Sequence, residues 1–171
     1  AVVLSASDSI AWLLNVRGGD VPNTPLPLSF AVLHHTGQVD WFIDEAKVDD
    51  TLTAHLGPDV RTHPTEEFGP GLDTLSDKTI QADAKATAAW VFNRLEAADA
   101  TIVRETDLCQ LPKAIKNDVE LAGTRAAHIR DGAALTNFLA WLAAEAPGGG
   151  VDEMAAQEKL EEFRRGVEHH M

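Results

Sequence analysis

The sequence predicts an α/β fold in which a mixed sheet is flanked by helices and followed by a C-terminal helical hairpin. Short apolar runs bounded by Gly, Pro and Asp recur up to Arg104, which is typical of strands and short helices. Residues 79–104 follow a strand, helix, strand order, the pattern of a parallel crossover. From Asn117 the chain changes to long helical periodicity without proline.

The first predicted elements precede a loop rich in glycine and proline. Ala1 to Leu4 is an apolar run that predicts a buried strand, and we expect Ser7 or Asp8 to cap a short helical turn through Trp12. The loop over residues 17–27, RGGDVPNTPLP, excludes regular structure because each proline lacks an amide hydrogen and fixes φ.

A hairpin and several short elements are predicted next. Residues 28–33 and 39–43 predict two strands joined by a turn that contains Gly37. Residues 48–56 have helical spacing and end at Gly57 and Pro58. The following elements are then expected: a strand at 60–62, a capped helical turn from Thr65 that Gly69-Pro70-Gly71 interrupts, a strand at 79–82, a helix at 84–97 and a strand at 100–104.

The C-terminal third predicts two helices that form a hairpin. Asn117 and Glu120 have the spacing of a capping box, and the helix that they begin is expected to end at Pro147. A second helix is predicted from Val151. The apolar stripe predicted for the first helix consists of Ala122, Ala126, Ile129, Ala133, Thr136 and Ala140. Because composition changes near residues 111–116, we predict two domains, 1–112 and 113–171.

Composition excludes several classes of partner. The formal net charge is −13, from 14 Lys and Arg against 27 Asp and Glu, and so acidic a surface repels nucleic acid. No apolar run approaches the roughly 20 residues of a membrane helix, so we expect a soluble protein. Cys109 is the only cysteine, which excludes an internal disulfide and fits a reducing, cytoplasmic location.

The histidines do not predict a metal or catalytic site. His34 and His35 are neighbours in the chain, so their side chains should point to opposite faces of a strand, and we interpret them as a solvated strand end. His55 and His63 have no partner at a ligand spacing, and His128 is interpreted as a residue on a helix face. HExxH, GxSxG and phosphate-loop motifs are absent from the sequence, so we assign no catalytic residue and no metal ligand.

The loop that begins at Arg17 is the one candidate site. Gly18 and Gly19 allow backbone conformations closed to other residues, and Arg17 offers a planar five-donor fork suited to a carboxylate. The alternative interpretation is that Arg17 pairs with Asp20 and only stiffens the turn.

Two segments resemble a known family. DSIAWLLNVRGGDVPNTPLPLSFAVL, residues 8–33, is similar to the middle domain of the long, three-domain Xaa-Pro aminopeptidases of the creatinase and prolidase superfamily. KAIKNDVELAGTRAAHIRDGAALTNFLAWL, residues 113–142, resembles the first helix of the same family's catalytic pita-bread domain. The resemblance implies that residues 1–112 form a creatinase N-terminal-like domain and that residues 113–171 begin the pita-bread domain.

The resemblance also implies an activity for the parent protein. Such enzymes are metallopeptidases that hydrolyse the bond between an N-terminal residue and proline, and their catalytic domain binds two divalent metals, often manganese. Those ligands lie in strands that follow the first helices, so none can be assigned to a position here. Because the sequence begins in a strand and ends inside helical sequence, we expect an inactive fragment without the metal site, with His169 and His170 as a tag remnant.

The expected role of this chain is therefore that of a scaffold, cleft-shaping or dimer domain. The resemblance implies Xaa-Pro peptides as substrates of the full-length enzyme, a homodimer, and no nucleic-acid or membrane partner. Arg17 and Asp20 are expected to face a substrate or a neighbouring subunit. Two alternatives stay open: another C–N hydrolase of the superfamily, such as a creatinase or a dipeptidase, and a non-catalytic assembly module that recruits a partner through its terminal helices.

Overall fold

The chain forms two compact units, Ala1–Ile115 and Lys116–Met171. The computed structural model describes residues 1–168. His169 and His170 lie outside the described residues, and so does their interpretation as a tag remnant. The assignment of residues 1–112 and 113–171 to two domains of an enzyme stays a prediction.

The first unit is built on a six-stranded sheet. The strands are β1 Val2–Leu4, β2 Phe30–Leu33, β3 Val39–Phe42, β4 Val60–His63, β5 Thr79–Ala82 and β6 Thr101–Arg104. Their order in the sheet is β4-β3-β2-β1-β5-β6. The hairpin strand β2 pairs antiparallel with both β1 and β3, whereas β3–β4, β1–β5 and β5–β6 are parallel pairs. The predicted mixed sheet is thereby confirmed.

Helices cover both faces of this sheet. They are α1 Ser7–Leu14, α2 Asp50–Leu56, α3 Phe68–Asp73, α4 Ala89–Ala97 and α5 Gln110–Ala114. One core cluster joins the sheet to α3 and α4, and includes Leu72, Val91 and Leu95. The other cluster joins the opposite face to α1 and includes Ile10 and Leu14, with Leu52 of α2 packed against it. Alternation along the strands produces this division, since successive side chains point to opposite faces.

The start of α1 differs from the prediction. The helix begins after Ala6, and no side chain caps it. The expected capping residue Asp8 instead lies in the first turn, where its carboxylate accepts a hydrogen bond from the ammonium group of Lys113. This hydrogen bond is the main reason why the pKa of Asp8 lies below its usual value. Asp8 therefore forms an ion pair with Lys113 and does not cap the helix.

The prediction that Gly69-Pro70-Gly71 interrupts a helix is wrong. This segment lies inside α3. Pro70 is tolerated because it occupies the third helical position, where an amide hydrogen would have no intrahelical acceptor. Gly71 is required by packing, since a Cβ atom there would lie 2.7 Å from the Cζ atom of Phe42. The small residues let α3 approach the sheet closely.

The second unit is the predicted helical hairpin. It consists of α6 Asp118–Glu145 and α7 Glu153–Arg165. The capping box is confirmed, because Asn117 and Glu120 each accept a hydrogen bond from the other's backbone amide. Arg164 of α7 donates two hydrogen bonds, of 2.7 and 3.2 Å, to the carboxylate of Asp131 on α6.

The apolar stripe predicted for α6 is wrong. Ile129, in the middle of that stripe, is 75% exposed, whereas Ala134 and Phe138 are the buried residues of this helix. Alanine and leucine occur on every side of α6, so a spacing of three and four residues can be traced on more than one face. Packing against α7 selected a face that periodicity did not distinguish.

Candidate functional site

The candidate loop leaves the core through a tightly folded helix end. Asn15 closes α1 in the left-handed conformation, with φ of 50°, and its amide bonds back to the helix. The Val16 amide then donates to the Ala11 carbonyl at 2.9 Å, and the Val16 side chain is buried. Arg17 is the first exposed residue after this anchor. The loop therefore starts from a defined position.

The two glycines of the loop have different surroundings. A Cβ atom on Gly18 would lie 2.7 Å from the backbone nitrogen of Pro27, so only glycine permits this approach of the two loop ends. A Cβ atom on Gly19 would meet no atom within 4 Å. Gly18 closes the loop, whereas Gly19 borders open space.

Asp20 pairs with a residue other than Arg17. One of its carboxylate oxygens, Oδ2, accepts hydrogen bonds from the ammonium group of Lys47 at 2.6 Å and from the Leu28 amide at 2.7 Å. The hydrogen bond from Lys47, followed by that from Leu28, lowers the pKa of Asp20. Arg17 donates from Nη1 to the Val16 carbonyl at 2.8 Å. The alternative in which an Arg17–Asp20 pair stiffens the turn is therefore wrong.

A cavity of about 310 Å³ lies beside this loop, and we call it the Arg17 cavity. Its walls combine the loop with the sheet face that carries Trp41 and with Lys47 beyond β3. The lining residues are Val16, Arg17, Gly18, Gly19, Asp20, Pro27, Trp41, Ile43, Lys47 and Leu52. Trp41 is 1% exposed, and within residues 1–168 its indole N–H has no hydrogen-bond partner. The cavity thus has apolar walls and a charged rim, which is typical of a small-ligand site.

A second cavity, of about 430 Å³, lies on the other sheet face, and we call it the His63 cavity. The Asp40 carboxylate on its wall joins two histidines, because one oxygen lies 2.7 Å from Nε2 of His34 and the other 3.1 Å from Nε2 of His63. Glu67 lies 3.5 Å from Nδ1 of His63. Burial raises the pKa of Asp40, but hydrogen bonds from the two histidines outweigh it, so the pKa is lowered.

This cluster was not predicted from the sequence, and the interpretation of His34 as a solvated strand end and of His63 as isolated is wrong. His35 is exposed, as expected of a strand end, but His34 is not. Phe42 pairs with His63 in the β3–β4 register, so Asp40 and His63 lie on one face two residues apart. The alternation of side chains along β3 indicates that Asp40 and Phe42 lie on one face of the strand. Only the register between β3 and β4 shows that His63 lies on the same face.

The remaining candidates have structural partners. His55 Nε2 lies 3.1 Å from the Leu14 carbonyl, and His128 Nδ1 lies 2.9 Å from the Thr124 carbonyl of its own helix. Cys109 is buried, and burial together with the nearby Asp107 raises the pKa of its thiol to about 11. Such a thiol is protonated at neutral pH and is a poor nucleophile.

We searched the described residues for clusters of metal-ligand side chains. Among residues 1–168, no three His, Cys, Asp or Glu side chains are grouped so that they could hold a metal ion. Asp40 comes nearest to a ligand cluster, but both of its oxygens already bind imidazole nitrogens.

None of the helices within residues 1–168 combines the length and the apolar character that a membrane span requires.

Comparison of the sequence with known proteins finds one family and several curated relatives. Residues 1–120 match the sequence profile of the Creatinase/Prolidase N-terminal domain. A probable Xaa-Pro aminopeptidase P of Tuber melanosporum is 35% identical over 99% of this chain, and one of Aspergillus flavus is 37% identical over 95%. This chain covers 30% and 26% of the length of these two relatives.

The fold also has a counterpart among solved structures. A Xaa-Pro dipeptidase from Bacillus anthracis superimposes with a TM-score of 0.70 and is 16% identical, over 96% of this chain and 44% of the dipeptidase chain. At that level of identity the likeness concerns the fold alone. It agrees with the mixed sheet and the C-terminal helices described above.

Proposed function

This chain belongs to the Creatinase/Prolidase N-terminal domain family, and from that membership we propose that it is the non-catalytic region of a metal-dependent Xaa-Pro aminopeptidase. The parent enzyme would hydrolyse the bond between an N-terminal residue and a following proline. The observation that carries the proposal is the 35–37% identity to Xaa-Pro aminopeptidases P over 95–99% of this chain. We also propose a cytoplasmic location, because the one cysteine of the sequence, Cys109, forms no disulfide.

We place the chemistry of the parent enzyme outside this chain. The resemblance implies two divalent metals, often manganese, held by a pita-bread catalytic domain that residues 113–171 would begin. Such ions activate water and polarise the scissile carbonyl. The contribution proposed for residues 1–112 is to shape the cleft or the homodimer around that centre.

Within this role we propose that Arg17 and Asp20 face the substrate or a neighbouring subunit. The support is geometric, because the two residues line an open cavity of small-ligand size. Asp20 secures the loop through the Leu28 amide and holds Lys47 at the cavity rim. Arg17, whose only protein acceptor within residues 1–168 is a neighbouring carbonyl, keeps donors for a ligand.

The test compares the full-length enzyme with the chain of residues 1–171 alone. The full-length protein loaded with manganese should cleave peptides whose second residue is proline, while residues 1–171 should neither cleave them nor bind manganese stoichiometrically in a calorimetric titration. Circular dichroism checks that the shorter chain is folded. Cleavage together with tight manganese binding by residues 1–171 would show that the chemistry resides in this chain.

Substrate comparison separates this proposal from a related hydrolase. A full-length aminopeptidase should turn over Xaa-Pro oligopeptides faster than Xaa-Pro dipeptides and leave creatine unchanged. Preferential turnover of dipeptides or of creatine would instead assign the protein to one of the other activities of the superfamily.

A further inference from the structure

The Arg17 cavity has a charge opposite to that of the chain. Its ionisable groups are two cations, Arg17 and Lys47, and one carboxylate, Asp20, so the cavity carries one net positive charge. The whole chain has a formal net charge of −13. A positive cavity on an acidic protein attracts an anion to a defined place while the surrounding surface repels it.

Several hydrogen-bond donors beside this cavity have no protein acceptor among residues 1–168. Arg17 uses Nη1 for the Val16 carbonyl, so its Nε and Nη2 groups have no protein acceptor among residues 1–168. In the same range the backbone amides of Gly18, Gly19 and Asp20 also donate to no protein acceptor. The one carboxylate, Asp20, already accepts from Lys47 and Leu28. Unpaired donors beside a cavity favour a ligand that brings acceptor atoms.

Contacts within the chain hold the loop in position. Gly18 packs against the backbone of Pro27, and the Asp20 carboxylate bonds the Leu28 amide across eight residues. Three prolines, Pro22, Pro25 and Pro27, restrict the segment between these two contacts. A loop that is already ordered loses little conformational entropy on binding, so modest contacts suffice for recognition.

The charge of the cavity distinguishes between anions. One net positive charge balances the single negative charge of a carboxylate, whereas a phosphate group carries up to two negative charges and would be only partly neutralised. The guanidinium fork of Arg17 matches the two coplanar oxygens of a carboxylate. A volume of about 310 Å³ accommodates one or two residues of a peptide rather than a folded partner.

We propose that the Arg17 cavity binds a peptide carboxylate, with the Arg17 guanidinium as its principal partner and the amides of Gly18 and Gly19 as further donors. The peptide as ligand rests on the proposed aminopeptidase function, whereas the preference for a carboxylate rests on the cavity itself. The carboxylate belongs either to the C-terminus of a short peptide or to an acidic side chain within it.

A direct binding measurement tests the cavity without relying on catalysis. Residues 1–171 labelled with ¹⁵N are titrated with an acetylated tripeptide lacking acidic residues, as the free acid and as the C-terminal amide. The amide signals of Gly18 and Gly19 should shift with the free acid and stay unchanged with the amide form. An amidated tripeptide containing one glutamate identifies a side-chain source if it restores the shifts. No shift with any carboxylate would overturn the proposal.

Kinetics of the full-length enzyme link the cavity to its substrates. The ratio of kcat/KM for free-acid over amidated Xaa-Pro peptides, or for acidic over neutral ones, should fall about tenfold in Arg17→Ala, mainly through KM. Arg17→Lys keeps the charge but loses the fork, so it should recover part of the ratio. Arg61→Ala, which removes an exposed arginine of β4, is the matched control and should keep the ratio.

The two experiments distinguish the possible failures. An unchanged ratio in Arg17→Ala, with the binding shifts present, would show that the cavity binds carboxylates but does not act on the substrate. Absence of any Xaa-Pro turnover, with the shifts present, would overturn the aminopeptidase proposal and leave carboxylate binding intact. Absence of the shifts would overturn the inference whatever the enzyme cleaves.

Discussion

The two faces of the sheet differ in what they hold, although neighbouring residues of one strand build both. Trp41 of β3 lies in the wall of the Arg17 cavity, and the adjacent Phe42 lies in the wall of the His63 cavity. The first cavity is lined by Arg17 of the glycine- and proline-rich loop and by Lys47 beyond β3, whereas the second is lined by a carboxylate that two histidines bind. A shift of one residue in the register of β3 would exchange these side chains between the faces. Strand register therefore determines both sites together.

Truncating Trp41 and Phe42 should have the largest effects. Trp41 is 1% and Phe42 3% exposed, so Trp41→Ala and Phe42→Ala should each lower the free energy of unfolding by about 3–5 kcal/mol. Urea unfolding of the two variants measures these losses. Trp41→Phe is the control, because it keeps an aromatic ring and removes an N–H that has no partner within residues 1–168, so it should cost less than Trp41→Ala. An equal cost would contradict the expectation that stability at this position comes from the buried aromatic ring.

Adding a methyl group to Gly18 and to Gly19 of the loop should change the stability of the chain by different amounts. Gly18→Ala places a Cβ atom 2.7 Å from the Pro27 nitrogen, so we expect a loss of about 2 kcal/mol in unfolding free energy. Gly19→Ala meets no atom within 4 Å and should unfold like the parent chain. Thermal unfolding of the two variants under identical conditions measures the difference. Equal stabilities would show that the loop can separate from Pro27 without cost.

Replacing Asp40, which lies in the wall of the His63 cavity, should make the free energy of unfolding less dependent on pH. Because the pKa of Asp40 is lower in the folded chain, the ionised carboxylate stabilises the fold above its unfolded pKa of about 4, and that contribution disappears as pH falls through the folded value. Asp40→Asn should therefore cost about 1 kcal/mol at pH 7 and almost nothing in strong acid. Urea unfolding from pH 7 down to about pH 2 follows the convergence. Asp59→Asn, an exposed aspartate, is the control and should cost nothing at either pH.

The ion pair at the rim of the Arg17 cavity should contribute least. Lys47 and Asp20 are 2.6 Å apart, but the lysine side chain is 35% exposed, so Lys47→Ala should cost less than about 1 kcal/mol. Raising the salt concentration should reduce that cost further, because exposed pairs are screened. Denaturant unfolding at low and high salt checks both statements. A loss that does not change with salt would place the pair in a drier environment than its exposure indicates.

Local sequence patterns predicted much of the fold because they depend on short-range physics. The hairpin around Gly37, the capping box at Asn117 and the strand, helix, strand order over residues 79–104 each follow from residues close in the chain. The prediction of the apolar stripe on α6 was wrong because an alanine-rich helix has several faces of similar hydrophobicity. The prediction that Gly69-Pro70-Gly71 breaks a helix was wrong for two reasons. Pro70 lies in the first turn of α3, and Gly71 is needed for close packing against the Phe42 ring.

The assignment of Arg17 and Asp20 to a site stays a prediction, and the contacts around them could not be predicted from the sequence. Arg17 and Asp20 were recognisable from residue type within a loop of glycines and prolines, and this sequence by itself determined the family, the mixed sheet and the position of that loop. Tertiary structure alone decided that Lys47, 27 residues away, takes the Asp20 carboxylate, and that Asp40 joins His34 to His63. The reason is that strand and helix periodicities are encoded locally, whereas partners for charged groups are chosen by register and packing between distant segments.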